Sequence, residues 1–325
     1  RAVDTVLATA KHFAAYGAAQ AGRDYHTVDI SERTLRDVYL PPFKAAVDEG
    51  VATFMTSFNE YDGVPASGSK FLLTDVLRDE WGFDGFVVTD YTSINEMVPH
   101  GYAKDLEQAG EQALNAGVDM DMQGAVFMEN MVKSVEEGRV SQANIDRAVR
   151  RVLEMKYRLG LFEDPYRYAD EARQDATLYK PEFLEAARDV ARKSMVLLKN
   201  DGNVLPLAAN AERIAVIGPL GDSKTDMIGS WSAAGDRETR PVTVLEGMKA
   251  HAENGVTVQY AKGASYEFGD EGKTDGFAEA LALAKSSDVV VAVMGEKWDM
   301  TGEAASRTSL DLPGNQQALL EQLVA

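Results

Sequence analysis

Asp90 is the residue whose place in the sequence is best suited to chemistry. It follows Phe86-Val87-Val88-Thr89, a short run of apolar and β-branched residues that predicts a strand buried on both faces. In parallel α/β folds the reacting groups lie just beyond the carboxyl ends of the strands, on loops held by a rigid sheet. Asp is also a favoured N-cap of a helix. The pattern alone therefore leaves two roles open, a reacting carboxylate and a cap.

A second group of carboxylates follows the strand-like run Asp288–Met294. Glu296 and Glu303 lie in the segment 295–307, which also contains Trp298. An aromatic face can cover the C–H groups of a pyranose ring, and a carboxyl group can donate a proton to a leaving oxygen. One interpretation of this loop is therefore a sugar site, and the other is a solvated acidic loop. Glu296 suits a structural or capping role as well as it suits catalysis.

Two histidines stand next to groups that could assist them. Lys11-His12 ends a predicted strand, 6–13, where the pair could hold substrate hydroxyls or tune a nearby carboxylate. Asp24 and His26 have the spacing of an acid/base dyad, in which the carboxylate fixes the imidazole tautomer. Such short matches are common by chance. No His, Asp or Glu cluster has the spacing of a metal site, and without Cys we expect no structural zinc. We expect no metal and no cofactor.

Composition limits the classes of partner. The formal charge is −19, whereas phosphate binding needs clustered Lys and Arg. Nucleic acid and an anionic membrane surface are therefore disfavoured, and a neutral substrate such as a sugar fits better. The run 217–221 contains a proline and lacks the third glycine of a dinucleotide fingerprint. No apolar run approaches the roughly 18 residues of a membrane span.

Strands and helices alternate along the first half of the chain. The strands are predicted at 6–13, 51–58, 86–89 and 117–120, and the helices at 31–40, 70–80, 105–116, 127–137 and 141–159. The strands end in polar residues, which are Lys11 and His12, Asn59, Asp90 and Asp119. This alternation predicts βα units and a parallel sheet. Because a (β/α)₈ barrel needs about 250 residues, we expect only its later half here.

The chain divides into two α/β regions by this pattern. We assign 1–165 to the C-terminal part of a barrel, 166–181 to a linker and 182–325 to a second α/β domain. The segment 161–181 has no hydrophobic period and carries turn formers, which predicts a linker. In the last helix of the barrel region, an apolar stripe predicts the face that packs on a core. The stripe consists of Val149, Val152, Leu153 and Lys156.

Taken together, these stretches resemble glycoside hydrolase family 3, and specifically its periplasmic β-glucosidase branch. The matching motifs are, in order, Lys11-His12-Phe13-Ala14-Ala15-Tyr16-Gly17, Asp75-Val76-Leu77-Arg78-Asp79-Glu80-Trp81-Gly82-Phe83, Val87-Val88-Thr89-Asp90, Leu159-Gly160-Leu161-Phe162, Val196-Leu197-Leu198-Lys199-Asn200, Gly229-Ser230-Trp231-Ser232-Ala233-Ala234-Gly235 and Glu303-Ala304-Ala305-Ser306-Arg307. Their order matches the family and they cover essentially the whole chain. Each motif is moderately specific, and their sum is highly specific.

The resemblance implies a (β/α)₈-type barrel followed by an α/β/α sandwich, with the active site between them. It implies an exo-acting retaining β-glucosidase in which Asp90 is the nucleophile and Glu303 the acid/base. Lys11 and His12 match residues that bind the non-reducing sugar, and Met55 lies where the family lines that subsite. A retaining enzyme needs its two carboxyls about 5–5.5 Å apart, one ionised and the other protonated.

Two aromatic residues complete the implied site. Trp231 is expected near its entrance. Tyr91 stands where the family often has Trp, since Thr89-Asp90-Tyr91 replaces Ser-Asp-Trp, so the stacking there is altered. The earlier barrel strands, with the Asp and Arg that would grip sugar hydroxyls, and a fibronectin type III-like domain are absent from this sequence. We therefore expect a fragment lacking both ends.

Several alternatives stay open beside a β-glucosidase. A β-N-acetylhexosaminidase of the same family would take its acid/base from an Asp-x-His loop, and Asp24-Tyr25-His26 lies in roughly that place. A β-xylosidase is the other enzymatic alternative. A catalytically incomplete carbohydrate-binding fragment is an alternative of a different class. The expected partners are β-glucosides or oligosaccharides, a homodimer is left open, and the resemblance implies a periplasmic or secreted protein.

Overall fold

The computed structural model describes residues 5–208, 211–232, 235–252, 255–303 and 305–325. The chain forms two compact units, Arg1–Ala187 and Arg188–Ala325. In each unit the described residues contain a three-stranded parallel sheet flanked by helices. The strands of the first unit are β1 (Thr9–Phe13), β2 (Thr53–Thr56), the short antiparallel pair β3 (Glu60–Tyr61) and β4 (Val64–Pro65), and β5 (Phe86–Val88).

The parallel sheet of the first unit has the order β1-β2-β5. Thr53 pairs with Thr9 on one side and with Phe86 on the other, so the three strands run in step and end at the same edge. The register shifts between Ala10 and Phe13, where β1 carries an irregularity. Val88 also makes a parallel bridge to Met120, where a strand at 117–120 was expected. That segment forms a single bridge rather than a strand.

Aromatic side chains fill the core beneath this sheet. Phe13 and Phe54 are fully buried on adjacent strands with ring centroids 5.3 Å apart, and Phe54 meets Phe83 at 4.9 Å. Both contacts are edge-to-face, the arrangement that the ring quadrupole favours. The sheet is therefore held by side chains that belong to two neighbouring strands and the loop before β5.

The described part of the first unit contains seven α-helices, some of which begin at a side-chain cap. They are α1 (Glu32–Thr34), α2 (Pro41–Asp48), α3 (Ser93–Glu96), α4 (Leu106–Ala116), α5 (Val126–Glu136), α6 (Gln142–Arg158) and α7 (Glu171–Thr177), with π-helical segments at Leu35–Tyr39 and Phe71–Glu80. Asp105 accepts a hydrogen bond from the Gln108 amide at 2.9 Å, and Ser141 accepts one from the Asn144 amide at 3.2 Å. These side chains satisfy amide groups that a helix start leaves without a partner.

The prediction for the packed face of α6 is wrong. Val149 and Leu153 are 50% and 43% exposed, whereas Ala148 and Met155 are buried on the neighbouring face. Helical periodicity identifies an apolar face, but the neighbouring elements decide which face is covered. In this unit α4 and α5 cover the face that carries Ala148.

The segment 161–181 contains a helix that its sequence pattern did not indicate. Helix α7 occupies Glu171–Thr177, and the Asp170 carboxylate caps it by accepting from the Arg173 amide at 2.9 Å. A single cap and about two turns give too short a pattern for periodicity to detect. Helix α8 (Pro181–Ser194) begins at Pro181, and the boundary between the two units falls within it.

The second unit has a sheet of order β7-β6-β8, all parallel. Its strands are β6 (Arg213–Ile217), β7 (Thr257–Ala261) and β8 (Val289–Ala292), and its further helices are α9 (Val244–His251), α10 (Phe277–Lys285) and α11 (Gln316–Val324). Ile217, Phe277 and Leu319 form the centre of its core. Thr243 and Glu246 make a capping box at the start of α9.

Candidate active site

The Asp90 carboxylate lies at the carboxyl end of β5, two residues beyond its last strand residue. Its side chain is 14% exposed, so most of it is withdrawn from solvent while one face stays accessible. One oxygen, Oδ1, accepts a hydrogen bond from the Tyr91 amide at 2.7 Å. The other, Oδ2, lies 3.2 Å from Nε2 of His12. The carboxylate is therefore held in a defined orientation at the sheet edge.

His12 reaches Asp90 from β1, across the width of β2. Its side chain is 27% exposed, and its ring meets that of Tyr16 edge-on at a centroid distance of 5.5 Å. The Tyr16 ring therefore limits how far the imidazole can rotate. Burial, followed by the charge of Asp24, raises the pKa of the Tyr16 phenol, so it stays neutral. Sequence reasoning missed Tyr16, although it lies in the same motif as His12.

The other residues expected in the first unit lie on the same sheet or next to Asp90 in the chain. Met55 is half-buried on β2, and it pairs in register with Val88, two residues before Asp90. Lys11 precedes His12 on β1 and is exposed. Tyr91 follows Asp90, and its side chain is 57% exposed. The structure thus brings Lys11, His12, Met55, Asp90 and Tyr91 to one edge of one sheet.

The backbone around Asp90 is bound on both sides to the segment 119–122. The Thr89 amide donates to the Met120 carbonyl at 3.0 Å, and the Thr89 hydroxyl accepts from the Met122 amide at 2.8 Å. The Thr92 amide donates to the Met122 carbonyl at 2.9 Å. Thr89 is fully buried. These bonds hold the loop that carries the carboxylate without using the carboxylate itself.

Asp119, which was predicted to follow a fourth strand, has a structural role. Its carboxylate is fully buried and contacts two arginines, Arg78 Nη2 at 2.7 Å and Arg151 Nη1 at 2.9 Å. It also accepts from the Val87 amide at 2.9 Å. Burial lowers the pKa of Arg78 to about 10, and the neighbouring Asp119 charge opposes that shift. Asp119 thus supports β5 from behind.

Glu96 is a second carboxyl near Asp90 that sequence reasoning missed. It ends the short helix α3, which begins three residues after Asp90. Burial raises the pKa of Glu96, and the charge of Asp90 raises it further. Its signal in the sequence is weak because a single Glu in a surface-like helix has no distinctive spacing. The protonated form of Glu96 is therefore more favoured than that of an exposed Glu.

Glu303 lies in the second unit, in the loop 295–307 that follows β8, and its side chain is exposed. The base of this loop is held at both ends. The Gln316 side chain is fully buried and pairs with the backbone of Gly295, donating to its carbonyl and accepting from its amide, both at 2.8 Å. Arg307 forms an ion pair with Glu296 and donates to the Asp311 carbonyl at 2.8 Å. Glu296 therefore has the structural role that its sequence left open.

Trp231, the other expected residue of the second unit, is 72% exposed. It lies in the segment between the short 3₁₀ turn Thr225–Ile228 and Arg237. The motifs around it and around Glu303 include Ala233, Ala234 and Ala304, which lie outside the described residues. Each unit thus presents its own part of the expected site, a carboxylate with His12 in the first and a carboxylate with Trp231 in the second.

Asp24 and His26 lie in one exposed loop near Tyr16. Asp24 hydrogen-bonds the Tyr16 phenol, and His26 is exposed in the same loop. Among the described residues, no group of three or more His, Cys, Asp or Glu side chains is placed to hold a metal ion. In the same part of the chain, no helix combines the length and apolar character needed to cross a membrane.

Comparison with known proteins places this geometry in context. The model of the glycosyl hydrolase family 3 N-terminal domain matches residues 2–155, and that of the C-terminal domain matches residues 195–325. A periplasmic beta-glucosidase of Salmonella typhimurium is 42% identical over 99% of this chain and 44% of its own length. A beta-xylosidase of Formosa agariphila is 38% identical over 98% of this chain and 45% of its own length.

A solved structure has the same fold. It is that of a mutant beta-glucosidase from Listeria innocua in complex with laminaribiose, with a TM-score of 0.84 and 35% identity, over 99% of this chain and 43% of the solved one. The chain thus spans less than half the length of the relatives it matches. The two family models nevertheless follow one another in the family's order along nearly all of it. The chain belongs to glycoside hydrolase family 3.

Proposed function

We propose that the protein is an exo-acting, retaining β-glucosidase that removes terminal non-reducing β-D-glucosyl residues. The observation that carries the proposal is the geometry of Asp90, a largely buried carboxylate at the carboxyl end of β5 with His12 at 3.2 Å. That edge is where parallel α/β folds place their reacting groups. The beta-glucosidases among the relatives support glucose as the sugar.

In the proposed reaction Asp90 attacks the anomeric carbon while Glu303 protonates the departing glycosidic oxygen. The bond from carbon to the leaving group breaks as the bond from carbon to the Asp90 carboxylate forms. Glu303, now ionised, then takes a proton from water, and that water displaces Asp90 with a second inversion. Two inversions return the product with its original β configuration. This mechanism requires the two carboxyls, which belong to different units, to lie about 5–5.5 Å apart.

The remaining predicted residues would hold the sugar. We infer that Lys11 and His12 bind hydroxyl groups of the glycone, since His12 contacts Asp90 and Lys11 precedes His12 on β1. Met55 and Tyr91 would contact its apolar faces, and Trp231 would stack at the entrance. His12 also contacts Asp90 directly, so it would link hydroxyl recognition to the orientation of the nucleophile.

The sheet of the first unit fits a barrel. The order β1-β2-β5, continued by the bridge from Val88 to Met120, places four segments side by side in chain order with the same direction. Sequential parallel segments joined by helices are what a (β/α)₈ barrel repeats around its axis. We propose that this unit is part of such a barrel and that the second unit is part of an α/β/α sandwich. The periplasmic relative supports a periplasmic location.

The test is hydrolysis of aryl β-glucosides by the complete gene product, with the product anomer followed by proton NMR. A retaining enzyme releases β-glucose first. Asp90→Asn should lower kcat by about 10⁴-fold or more, the loss typical of a removed nucleophile. Asp84→Asn is a suitable control, because that carboxylate is 79% exposed and pairs with Arg158 only at 3.7 Å. Release of α-glucose first would contradict the mechanism, and glucose binding without hydrolysis would favour a carbohydrate-binding fragment.

A β-xylosidase is the second candidate, favoured by the 38% identical relative. The two activities differ by the hydroxymethyl group of glucose. The ratio of kcat/KM for matched aryl glucosides and aryl xylosides decides between them, and the proposal predicts a ratio above one. A β-N-acetylhexosaminidase would need Asp24 and His26 instead of Glu303, so Glu303→Gln should leave its activity intact.

A further inference from the structure

The loop that carries Glu303 contacts a second loop of the same unit. We call 295–307 the acid/base loop and 223–232, which ends just after Trp231, the Trp231 loop. The backbone amide of Trp298 donates a hydrogen bond of 2.7 Å to the carboxylate of Asp226. Ser223 hydrogen-bonds the other oxygen of that carboxylate. One carboxylate thus joins the middle of the acid/base loop to the start of the Trp231 loop.

Arg237 contacts both loops. Its guanidinium donates to three backbone carbonyls of the Trp231 loop, those of Thr225 at 3.2 Å, Gly229 at 3.3 Å and Ser232 at 3.1 Å. Two of these carbonyls flank Ser230 and Trp231. A planar guanidinium with five fixed donors can bind several carbonyls at once, which a lysine cannot do. Arg237 therefore sets the path of the Trp231 loop.

The same guanidinium stacks on the acid/base loop. Its carbon Cζ lies 4.3 Å from the centroid of the Trp298 ring. Trp298 is 38% exposed, so this cation–π contact is partly withdrawn from solvent, where such contacts are stronger. Trp298 is held from its backbone side by Asp226 and from its ring side by Arg237.

The contact between the loops continues to the residue before Glu303. Gly302 lies against Ser230, so closely that a Cβ on Gly302 would come within 3.3 Å of Cβ of Ser230. Gly302 has a φ of +150° and exchanges backbone hydrogen bonds with Ala305, its amide donating at 3.0 Å and its carbonyl accepting at 3.2 Å. These bonds enclose Glu303 in a tight turn whose first residue rests on Ser230.

A turn that includes Arg237 orients its backbone. The Asp236 carboxylate accepts from the amides of Glu238 and Thr239, at 2.9 and 2.7 Å, and from the Thr239 hydroxyl. These hydrogen bonds lower the pKa of Asp236 to about 2, so it is ionised and keeps the turn at any ordinary pH. The Arg237 side chain therefore starts from a defined position.

We propose that Arg237 is a positioning residue for Glu303, acting through the Trp231 loop and the Trp298 ring. The inference rests on the proposed function of Glu303 as acid/base. Arg237 binds the carbonyls on both sides of Ser230, and Ser230 supports Gly302, so removing the guanidinium frees the turn that aims Glu303. Proton donation to the leaving group then suffers, whereas the attack by Asp90 does not.

The test measures kcat/KM for aryl β-glucosides of graded leaving-group pKa, using the complete gene product. Arg237→Ala should leave the 2,4-dinitrophenyl glucoside within about 3-fold of the parent and slow the phenyl glucoside by about 10-fold or more. That loss is part of the 10²–10⁴-fold that a well-placed acid/base supplies. Azide should accelerate turnover of the activated substrate and yield β-glucosyl azide, because it attacks the glycosyl-enzyme without needing a base.

Three further variants separate the possible outcomes. Arg237→Lys keeps the charge but loses the planar donors, and it should show the same leaving-group dependence at an intermediate size. Trp298→Leu keeps an apolar side chain and should show it too, which covers the case in which Arg237→Ala unfolds. Lys249→Ala, which removes an exposed positive charge on α9, should leave kcat/KM unchanged for every substrate.

Different results would overturn the role of Arg237 and the assignment of Glu303. An equal loss for all leaving groups, or no azide response, in the folded Arg237 and Trp298 variants would overturn the positioning role. Glu303→Ala is assayed in parallel and should show the full leaving-group dependence and azide rescue. If Glu303→Ala shows neither, the assignment of Glu303 is wrong and the proposal for Arg237 falls with it. If Glu303→Ala shows both and Arg237→Ala does not, only the proposal for Arg237 is overturned.

Discussion

Replacing Asp119 by Asn should destabilise the first unit severely. The carboxylate is fully buried, and each of its oxygens has a charged partner, Arg151 on Oδ1 at 2.9 Å and Arg78 on Oδ2 at 2.7 Å. The Val87 amide also donates to Oδ2. Asn has nearly the same shape, but its NH₂ group must face an arginine or an amide donor. The substitution removes the negative charge and leaves two guanidinium groups close together.

The size of the effect follows from burial. Removing one partner of a buried ion pair costs about 3–5 kcal/mol, because the remaining charge is left without compensation. The Arg78 side chain is 9% exposed, and burial already lowers its pKa to about 10. Asp119→Asn should therefore lower the free energy of unfolding by about 3–5 kcal/mol, a large part of the total for a domain.

Urea unfolding at pH 7, followed by circular dichroism, measures this difference by linear extrapolation. The matched control is Asp84→Asn, which removes an exposed carboxylate from its 3.7 Å pair with Arg158. Exposed pairs contribute about 0–1 kcal/mol, so the control should remain close to the parent. A loss below about 1 kcal/mol in Asp119→Asn would refute the view that this cluster supports β5.

Three further predictions concern stability. Glu96→Gln should be more stable than the parent at neutral pH, and the difference should vanish below about pH 4.5. The reason is that the raised pKa of Glu96 in the folded state makes its ionisation destabilising as pH rises. A constant difference across a pH series of unfolding curves would contradict this. Gly85→Ala should lower the free energy of unfolding by about 3 kcal/mol, since its Cβ would lie 2.1 Å from the Ala52 carbonyl oxygen. Gly17→Ala, whose Cβ meets nothing within 4 Å, should not show this steric loss. Equal urea midpoints for the two variants would exclude the clash. Thr243→Ala should cost about 1 kcal/mol by removing the capping box of α9, and Thr243→Ser should restore most of it; no recovery in thermal unfolding with Ser would indicate another cause.

The sequence allowed the edge of the first sheet to be predicted with its polar residues. A buried run followed by a carboxylate indicated Asp90, and the parallel register then accounts for why Lys11, His12 and Met55 lie at the same edge. The contact between His12 and Asp90 could not be predicted from spacing, because β2 lies between their strands. It depends on the length of the imidazole and on the irregular end of β1.

Properties that depend on neighbouring elements could not be derived from the chain alone. The apolar stripe of α6 was predicted to be packed, yet Val149 and Leu153 are exposed and Ala148 is buried. Asp119 resembled Asp90 in sequence as a carboxylate after an apolar run. The two arginines that give it a structural role come from positions 78 and 151, far from it in sequence.

The second unit shows the same limit. The sequence identified Glu303 and Trp231 by resemblance, but it gave no sign that Arg237 joins their loops, because a lone arginine in a polar turn has no distinctive pattern. Its role depends on a carbonyl on each side of Trp231 and on the Trp298 ring. That Asp90 and Glu303 act as one pair stays a prediction.

Covalent trapping tests directly whether Asp90 is the nucleophile. The complete gene product is incubated with 2-deoxy-2-fluoro-β-glucosyl fluoride, and its intact mass and peptide map are then measured. We predict a single fluoroglucosyl adduct on the peptide that contains Asp90, and none in Asp90→Asn, because the fluorine slows hydrolysis of the glycosyl-enzyme more than its formation. An adduct on a different carboxylate, or rapid hydrolysis of aryl glucosides by Asp90→Asn, would contradict the assignment of Asp90 as the nucleophile.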